Sequence, residues 1–357
     1  MSIFSSRFTQ FLALLGLSSV LLLSGCTSSS DETSTDTSEV IFRDNQFLMG
    51  TSVNLSVYGY EDASILDRAF EHIQFLEDTL SLNQSNTLLE TVNQNAGLEA
   101  IPVTAHLFDV VEKGLYYSDL TDGSFDITIG PLVKLWNIGF PEARVPSASE
   151  IEAVLPLIDY SKIQLDDTTQ SVFLQDVGMQ LDLGGIAKGY AADQIVELFK
   201  ESGVAHALID LGGNLYTLGT KPDGSLWKVG VQDPFKPRGE IIGYMEVADK
   251  SIVTSGIYER FLDDNGKTYH HILDPSSGYP FENEIAGVTI VSDTSIDGDA
   301  LSTSVFSKGV ADGMAFINTL EGVDALFITK DREVYMTDGL KETFILDNSD
   351  FSIVTLE

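Results

Sequence analysis

The segment DGDALST at residues 297–303 contains a pair of side chains suited to a hard divalent cation. Asp299 and Thr303 are four positions apart, so on a helix both side chains point in the same direction. Carboxylate and hydroxyl oxygens are ligands that Mg²⁺ prefers, and this ion often shares the phosphate oxygens of a substrate. On spacing alone a simpler interpretation is favoured, in which Asp299 caps a helix and Thr303 is an ordinary helical residue.

The segment LDLGGIAKGYA at residues 181–191 has the composition of an anion-binding turn. A strand-like stretch ends in Gly184 and Gly185, and a helix follows directly. Free backbone N–H groups at a helix start bind anions, glycines let a phosphate approach closely, and Lys188 could add a positive charge. The segment is neither a Walker loop nor a full dinucleotide fingerprint, so a tight turn without a ligand is at least as consistent with it.

Two of the 5 histidines are adjacent, at positions 270 and 271. A histidine can act as a general base near neutral pH. Neighbouring residues of a strand face opposite sides, so we expect one of the two rings to face the site and the other to face solvent. A sheet histidine without a chemical role explains the pair equally well.

The segment DGSFDITIGPLVKLW at residues 122–136 joins a glycine turn to an aromatic side chain and a carboxylate. Phe125 and Asp126 could together hold a flat heterocycle against the turn. The same residues are equally typical of a packed turn that binds nothing.

The charge balance excludes one class of partner. The 357 residues include 20 Lys+Arg and 54 Asp+Glu, which gives a formal net charge of −34. Such a surface repels phosphate backbones, so we expect no nucleic-acid partner. Hydrophobic residues make up 43% of the chain, which excludes wholesale disorder and is enough for a substantial core.

The N-terminus has the pattern of a lipoprotein signal peptide at residues 1–25. It has one basic residue and no acid, and a mainly apolar run at residues 11–23 is too short to span a bilayer. Small residues follow and then Cys26, the only cysteine, as in a bacterial lipobox. An ordinary signal peptide with an incidental thiol is the alternative. We therefore expect an exported protein that is lipid-anchored through Cys26 to a bacterial membrane, with its domain on the periplasmic or extracellular side.

Residues 26–39 contain Ser, Thr and acidic residues after Cys26 and predict a solvated tether. Residues 40–357 show no further linker and predict one large domain. Periodicity predicts helices at residues 63–81, 105–121, 149–157 (with Ser149 as cap), 186–202 and 299–318. It predicts strands at residues 52–58, 163–165, 171–174, 179–183, 207–211, 227–231, 242–247, 251–254 and 286–291, a hairpin turn at Asn265-Gly266 and three short strands in the last forty residues.

Strands with interspersed helices predict an α+β fold with a mixed, largely antiparallel sheet and flanking helices. Taken together, the segments resemble the FAD:protein FMN transferase (ApbE) family. The resemblance is carried in order by MGT (49–51), SFDIT (124–128), GPL (130–132), LW (135–136), LDLGGIAKGYA (181–191), GGN (212–214), TSG (254–256), HILDP (271–275), GYP (278–280) and DALST (299–303).

The resemblance implies an enzyme that binds FAD with Mg²⁺, moves FMN onto a threonine hydroxyl of a target flavoprotein and releases AMP. It implies that His271 is the base that accepts the threonine proton. The metal ligands that it implies are the Gly185 carbonyl, Asp299 and Thr303, with Ser302 nearby. The implied FAD contacts are Met49, Ser124, Phe125, Asp126, Asp182, Lys188 and Ile272.

The expected partners, by the same resemblance, are exported FMN-binding-domain flavoproteins of membrane redox complexes. An FAD pyrophosphatase that yields free FMN and AMP remains an alternative, as does a non-catalytic flavin-binding lipoprotein.

Two positions depart from the family pattern. Ser81-Leu82-Asn83 stands where an aromatic residue is expected, and Gly298 replaces the usual Ala, which we expect to be harmless.

Overall fold

The structure, a computed structural model, describes residues 40–356. The strands are β1 (Ile41–Leu48), β2 (Thr51–Tyr58), β3 (Ile101–Pro102), β4 (Ile163–Asp166), β5 (Ser171–Leu174), β6 (His206–Leu211), β7 (Asn214–Leu218), β8 (Trp227–Gln232), β9 (Ile241–Val247), β10 (Lys250–Gly256), β11 (Phe261–Asp264), β12 (Lys267–His270), β13 (Ile285–Ser292), β14 (Asp324–Thr329), β15 (Glu333–Met336), β16 (Phe344–Leu346) and β17 (Ser352–Ile353). The helices are α1 (Ser64–Leu80), α2 (Leu88–Gln94), α3 (Ala105–Leu120), α4 (Gly130–Trp136), α5 (Ala148–Val154), α6 (Ala187–Glu201), α7 (Ser295–Ser304) and α8 (Gly309–Ile317). The predicted signal peptide, Cys26 and the tether lie outside the described residues.

A nine-stranded sheet in the order β1-β2-β6-β7-β10-β13-β14-β15-β17 forms the centre of the molecule. Its neighbouring strands are antiparallel except β15 and β17, which are parallel. Smaller sheets are built from β16-β9-β8, β3-β5-β4 and the hairpin β11-β12. The predicted α+β class with a largely antiparallel sheet is confirmed.

Strand β14 shows how the central sheet is covered on both faces. Ala325 and Phe327 are buried in the same core as the apolar sides of α1, α3, α6 and α7. Leu326 and Ile328, which point the other way, are buried with Trp227 and the other apolar residues of β8 and β9. The sheet is therefore the middle of three layers, and its central strands are apolar on both sides.

Several turns meet at one end of this sheet. Strands β2 and β7 begin there, β6 and β10 end there, and the register pairs Val53 with Leu211 and Gly256 with Gly287. The β1–β2 turn consists of Met49 and Gly50, which have φ angles of 51° and 70°. Both values are left-handed, as a two-residue hairpin turn requires. Segments that are far apart in the sequence are brought together at this end.

Most of the predicted helices and strands are present within two residues of the predicted bounds. Helices α1, α3 and α6 follow the apolar periodicity, and Gly203 ends α6 with a φ of 82°. The hairpin turn has φ angles of 50° at Asn265 and 81° at Gly266, as expected for a type I′ turn. The polar strand β1 was missed because six of its eight residues are exposed and show no apolar alternation.

The predicted helix at residues 299–318 is wrong as a single element. Helix α7 begins four residues earlier, at Ser295, and a 3₁₀ turn (Val305–Lys308) separates it from α8. The break coincides with Gly309, whose φ of 72° is incompatible with a continuous helix. Asp299 therefore lies inside α7 and does not cap it; the cap position is Thr294.

Three further predictions need correction. Residues 179–183 form only an isolated bridge, because the side chain of Asn93 bonds both backbone groups of Leu181 in place of a neighbouring strand. The cap of α5 is Ser147 instead of Ser149, and it forms a capping box with Glu150. The last forty residues contain four strands, β14 to β17, instead of three.

Within residues 40–356, no helix combines the length and apolar character that crossing a bilayer requires.

Gly298 packs closely against β10, and its substitution tests that packing. A Cβ atom placed on Gly298 would lie 2.7 Å from Cγ2 of buried Val253 and 3.0 Å from Oγ of Ser292. We expect Gly298→Ala to lower the free energy of unfolding by about 1–3 kcal/mol, although alanine favours helices. Urea unfolding measures the change. In the double variant Val253→Ala/Gly298→Ala the destabilisation should be smaller than the sum of the single effects, and strict additivity would contradict the close contact.

Candidate active site

Helices α6 and α7 cross at backbone distance near Gly189. A Cβ atom placed on Gly189 would lie 2.3 Å from the carbonyl oxygen of Ser295 and 2.6 Å from Cα of Ile296. The Gly189 N–H donates to Oδ2 of Asp299 at 2.9 Å. The absence of a side chain on α6 therefore allows a backbone group of α6 to hold a carboxylate of α7.

Asp299 is the buried anion of this region, with 3% of its surface exposed. The ammonium group of Lys188 lies 3.2 Å from Oδ1 and 3.4 Å from Oδ2 of Asp299. It also donates to the carbonyl oxygen of Gly184 at 3.2 Å. A carboxylate buried to this degree needs a positive partner, and Lys188 supplies it.

Thr303 lies one helical turn after Asp299 and faces the glycine turn. A Cβ atom placed on Gly185 would lie 3.6 Å from Thr303 Oγ1 and 3.0 Å from Cε2 of Phe125. Among the described residues, no backbone N–H donates to the carbonyl oxygen of Gly185. The carboxylate, the hydroxyl and this free carbonyl are all hard oxygen donors, so the residues present fit a hard cation such as Mg²⁺.

Ser302 is buried behind this oxygen set. Its hydroxyl donates to the Asp299 carbonyl at 2.9 Å and lies 2.8 Å from Oγ of Ser255 on β10. The contact with Ser255 joins α7 to the sheet. No group of three or more His, Cys, Asp or Glu side chains with metal-binding geometry occurs within residues 40–356, so a metal here would depend on hydroxyl and carbonyl ligands.

His271 lies directly after β12, and the carbonyl of Arg260 fixes its ring. The His271 backbone N–H and ring Nδ1 lie 3.1 Å and 3.2 Å from this oxygen. A carbonyl can only accept hydrogen bonds, so Nδ1 carries the proton and Nε2 keeps its lone pair. The antiparallel register, which pairs Phe261 with His270, places Arg260 opposite His271.

His271 keeps partial solvent contact but lies deep between surrounding segments. Burial lowers its pKa to about 3, and the positive charges of Arg260 and Lys188 act in the same direction. The ring is therefore neutral across the physiological range. It can accept a proton at Nε2 without first losing one.

His270 has a structural environment and does not face solvent, contrary to the expectation from strand alternation. It is 8% exposed, and its ring packs edge-on against Phe306. Its Nε2 donates to the Phe281 carbonyl at 2.9 Å, and its Nδ1 accepts from the Ile272 N–H at 3.3 Å. Burial lowers the pKa of His270 as well, so this ring is a neutral part of the core. Of the two adjacent rings, only that of His271 has a nitrogen without a hydrogen-bond partner among the described residues.

Asp182 lies between the glycine turn and several cations. Its Oδ1 accepts from the Gly184 N–H at 2.7 Å. Burial raises the pKa of Asp182, whereas that bond and the charges of Arg260, Lys134 and Lys188 lower it in part. Three positive side chains thus act on one point of a strongly acidic protein, which favours an anionic ligand there.

A family model described as the ApbE family matches residues 49–327, which is most of the chain and includes every described site residue from Met49 to Thr303. The chain belongs to the ApbE family.

Relatives and solved structures of the ApbE family agree with this match. The chain is 40% identical over 307 residues to the FAD:protein FMN transferase of Klebsiella pneumoniae (strain 342), covering 86% of this chain and 95% of the relative. It is 36% identical over 312 residues to the enzyme of the same name from Treponema pallidum (strain Nichols), covering 83% and 86%. Its fold is similar to the crystal structure of the ApbE protein from Thermotoga maritima, with a TM-score of 0.79, 29% identity and coverage of 85% and 99%. The flavin transferase ApbE from Vibrio cholerae gives a TM-score of 0.76 at 26% identity, covering 85% and 99%. The chain is therefore an enzyme of this family.

The loop at residues 121–128 of this ApbE chain is held by hydrogen bonds within the loop and by one from Tyr160. Asp126 accepts from the Thr128 N–H at 2.7 Å and from the Tyr160 N–H at 3.1 Å. The Ser124 hydroxyl donates to the Thr121 carbonyl at 2.9 Å. Asp126 therefore shapes the loop from inside, while Phe125 is the side chain that reaches Gly185.

Met49 and Ile272 belong to two further segments of the predicted site. Met49 is half-buried in the β1–β2 turn, and Ile272 is 4% exposed directly after His271. Their roles as FAD contacts stay predictions. Cys26 lies outside the described residues.

Arg260 is the site residue that sequence reasoning missed. Its guanidinium lies 3.4 Å from the Gly50 carbonyl, and its stem packs on Gly139, where a placed Cβ atom would lie 2.9 Å from Arg260 Cδ. Arg260 thus joins the Met49-Gly50 turn to the loop at Gly139, and its own carbonyl holds His271. The sequence offered one signal for this role: Arg260 ends the TSGIYER segment, four residues after the TSG motif.

Two cavities lie near these residues. One of about 760 Å³ is lined by α3, α6 and the start of α7, and one of about 840 Å³ is lined by the β11–β12 hairpin and residues 277–283. The walls of neither include Asp299, Thr303 or His271. We define the cleft by the residues around Asp299, Asp182 and His271, because Lys188 bonds Asp299 and the charges of Lys188 and Arg260 act on both Asp182 and His271.

The depressed pKa of His271 makes stability depend on pH. The ordinary pKa is 6.5 and the folded value is about 3, so between these values the unfolded chain binds the proton more readily. Stability should therefore fall as the pH falls through this window, and the effect vanishes above pH 6.5. We expect the loss of unfolding free energy from about pH 7 to about pH 5 to be smaller in His271→Asn than in the wild type.

Urea unfolding at both pH values provides the comparison, and NMR of the His271 ring protons provides a direct check. The ring signals should keep their neutral-form shifts at about pH 5. A ring that titrates near its ordinary value would show that the imidazole is not held as described.

Proposed function

We propose that the chain transfers the FMN part of FAD to a threonine hydroxyl of a target flavoprotein, releases AMP and requires Mg²⁺. The observation that carries the proposal is the orientation of His271, whose neutral ring is held at Nδ1 and keeps Nε2 free. A protein that only carries flavin has no need of an oriented base beside a cation-binding set of oxygens.

Asp299, Thr303 and the Gly185 carbonyl would hold the metal. A bound Mg²⁺ neutralises charge on the pyrophosphate and helps to align it, which is the main requirement of phosphoryl transfer. Lys188, which now neutralises Asp299, would then be available to the phosphate oxygens. Ser302, which is bonded to the backbone carbonyl of Asp299 and to Ser255, would help to fix this part of α7 on the sheet.

FAD would lie along the cleft between the glycine turn and the loop at residues 121–128. Phe125 offers an aromatic surface beside Gly185, and the positive charges around Asp182 suit the pyrophosphate. The proposed contacts are Met49, Ser124, Phe125, Asp126, Asp182, Lys188 and Ile272. Asp126 would act through the shape of its loop, because its carboxylate is already bonded to the backbone.

His271 would accept the proton of the acceptor threonine. The threonine oxygen forms a bond to the FMN phosphorus, the bond from that phosphorus to the oxygen bridging to AMP breaks, and AMP leaves. The threonine proton moves to Nε2. Because the pKa of the ring is low, proton transfer should follow the formation of the new P–O bond, when the hydroxyl has become more acidic.

The proposed acceptors are exported FMN-binding domains of membrane redox complexes. Their modification requires that this chain acts outside the cytoplasm. Export by the signal peptide at residues 1–25 and lipid attachment at Cys26 would place it at the membrane beside them.

A transfer assay tests the proposal. Purified protein is mixed with FAD, MgCl₂ and an exported FMN-binding domain, and flavin fluorescence is recorded after denaturing electrophoresis while AMP is quantified. We expect a fluorescent acceptor band and equimolar AMP, both lost when the acceptor threonine is replaced by alanine. Free FMN and AMP without a labelled acceptor would indicate an FAD pyrophosphatase, and bound FAD without turnover would indicate a carrier.

Two substitutions should separate the metal set from the base. Asp299→Ala should lower Mg²⁺-dependent turnover by at least about 100-fold, and higher Mg²⁺ should recover part of it. His271→Ala should lower transfer by about 100-fold or more while FAD affinity stays within about twofold, because a base acts on the reaction and not on binding.

Asp297→Asn is the matched control for Asp299. It removes the same charge from α7, but Asp297 faces Lys113 and Tyr117 instead of the glycine turn. FAD turnover that survives Asp299→Ala in the presence of Mg²⁺ would overturn the metal assignment. Loss of FAD binding in His271→Ala would make His271 a structural residue.

A further inference from the structure

Helix α7 begins without a cap from its own side chains. Thr294 occupies the cap position with extended backbone angles, yet its side chain accepts no bond from the first turn. Instead, the carboxylate of Asp193 on α6 accepts from the Ser295 N–H at 2.7 Å and from the Ile296 N–H at 2.8 Å. The N-terminus of α7 is therefore capped from the neighbouring helix, by both oxygens of one carboxylate.

The N-terminal end of α7 is also hydrogen-bonded to the central sheet. The Ser295 hydroxyl lies 2.5 Å from Oδ1 of Asn214 on β7 and 3.0 Å from Oγ of Ser251 on β10. Asn214, Ser251 and Ser295 are uncharged and fully buried. Of these hydrogen bonds at the start of α7, only those made by Asp193 join it to α6.

This contact lies close in sequence to both the glycine turn and the oxygen donors of α7. Asp193 lies one turn after Gly189 on the helix that follows Gly185, and Asp299 and Thr303 lie one and two turns after the capped N–H groups. Mg²⁺ requires oxygen ligands at about 2.0–2.1 Å in near-octahedral geometry, so a shift of α7 along α6 by a fraction of an ångström would weaken binding.

We propose that Asp193 is a positioning residue for the cation site, because its carboxylate sets the register of α7 against α6 and so the spacing of Asp299 and Thr303 from Gly185. The inference rests on the metal site of the proposed function. It concerns a residue that touches neither the cation nor the flavin.

The charge environment of Asp193 supports a requirement for a carboxylate at this position. Burial raises its pKa to about 6, Asp297 on α7 acts in the same direction, and Lys113 on α3 opposes it. Tyr117 on α3 and Tyr216 on β7 also face it. An ionised group is costly in this position, and a residue that only filled space would not need to be an acid.

The test measures binding of Mn²⁺ alone to the full chain, from the electron paramagnetic resonance signal of the free ion. We expect Asp193→Asn to weaken Mn²⁺ binding by at least about tenfold, because the amide nitrogen cannot accept from a backbone N–H. FAD affinity without metal should stay within about twofold. Glu197→Gln is the matched control, since Glu197 lies one turn further on α6 at the same cavity, and it should bind Mn²⁺ like the wild type.

A second variant separates helix capping from the link to α6. Thr294→Asn gives α7 a cap of its own but no bond to α6, so Asp193→Asn/Thr294→Asn should regain unfolding free energy while Mn²⁺ affinity stays at least about tenfold below that of the wild type, and it decides the matter also if Asp193→Asn alone does not fold. Wild-type affinity in Asp193→Asn, or recovery of Mn²⁺ affinity in the double variant, would overturn the inference while leaving the metal site intact. Failure of the wild-type chain to bind Mn²⁺ would overturn the proposed metal site and the inference with it.

Discussion

The rest of the site depends on the backbone contact between α6 and α7 at Gly189. Because Gly189 has no side chain, its N–H reaches the carboxylate of Asp299, and the start of α7 lies against α6. The contact brings the glycine turn before α6 and the oxygen donors of α7 to the same place. Any larger residue would separate the two halves of the cation site.

A second segment of the fold supplies the base. The β11–β12 hairpin holds His271 against the carbonyl of Arg260, while the guanidinium of Arg260 reaches the β1–β2 turn. The cleft gathers Lys188, Arg260 and Lys134 in a protein whose formal net charge is −34. Negative charge elsewhere repels phosphates, so this local concentration of cations distinguishes the cleft from the remaining surface.

Local sequence patterns predicted the parts of this arrangement but not how the parts are joined. Apolar periodicity gave α1, α3 and α6 because one face of each helix packs on the sheet, and ordered motifs identified the family. The start of α7 could not be found from local sequence, since its cap is Asp193, about one hundred residues earlier in the chain. The same holds for residues 179–183, where a distant asparagine replaces a strand partner, and for Arg260, whose role depends on the register of a hairpin.

The way in which His271 is held has a consequence for evolution and engineering of this site. Both bonds that orient the histidine end on a backbone carbonyl, which every amino acid at position 260 would provide. A change of the side chain at that position would therefore leave these two bonds in place, although it would remove the charge that lowers the pKa of His271 and the contact to the Gly50 carbonyl. A residue inserted or deleted in the hairpin would put a different carbonyl opposite the ring. The length of the hairpin, more than the identity of residue 260, therefore keeps the base in place.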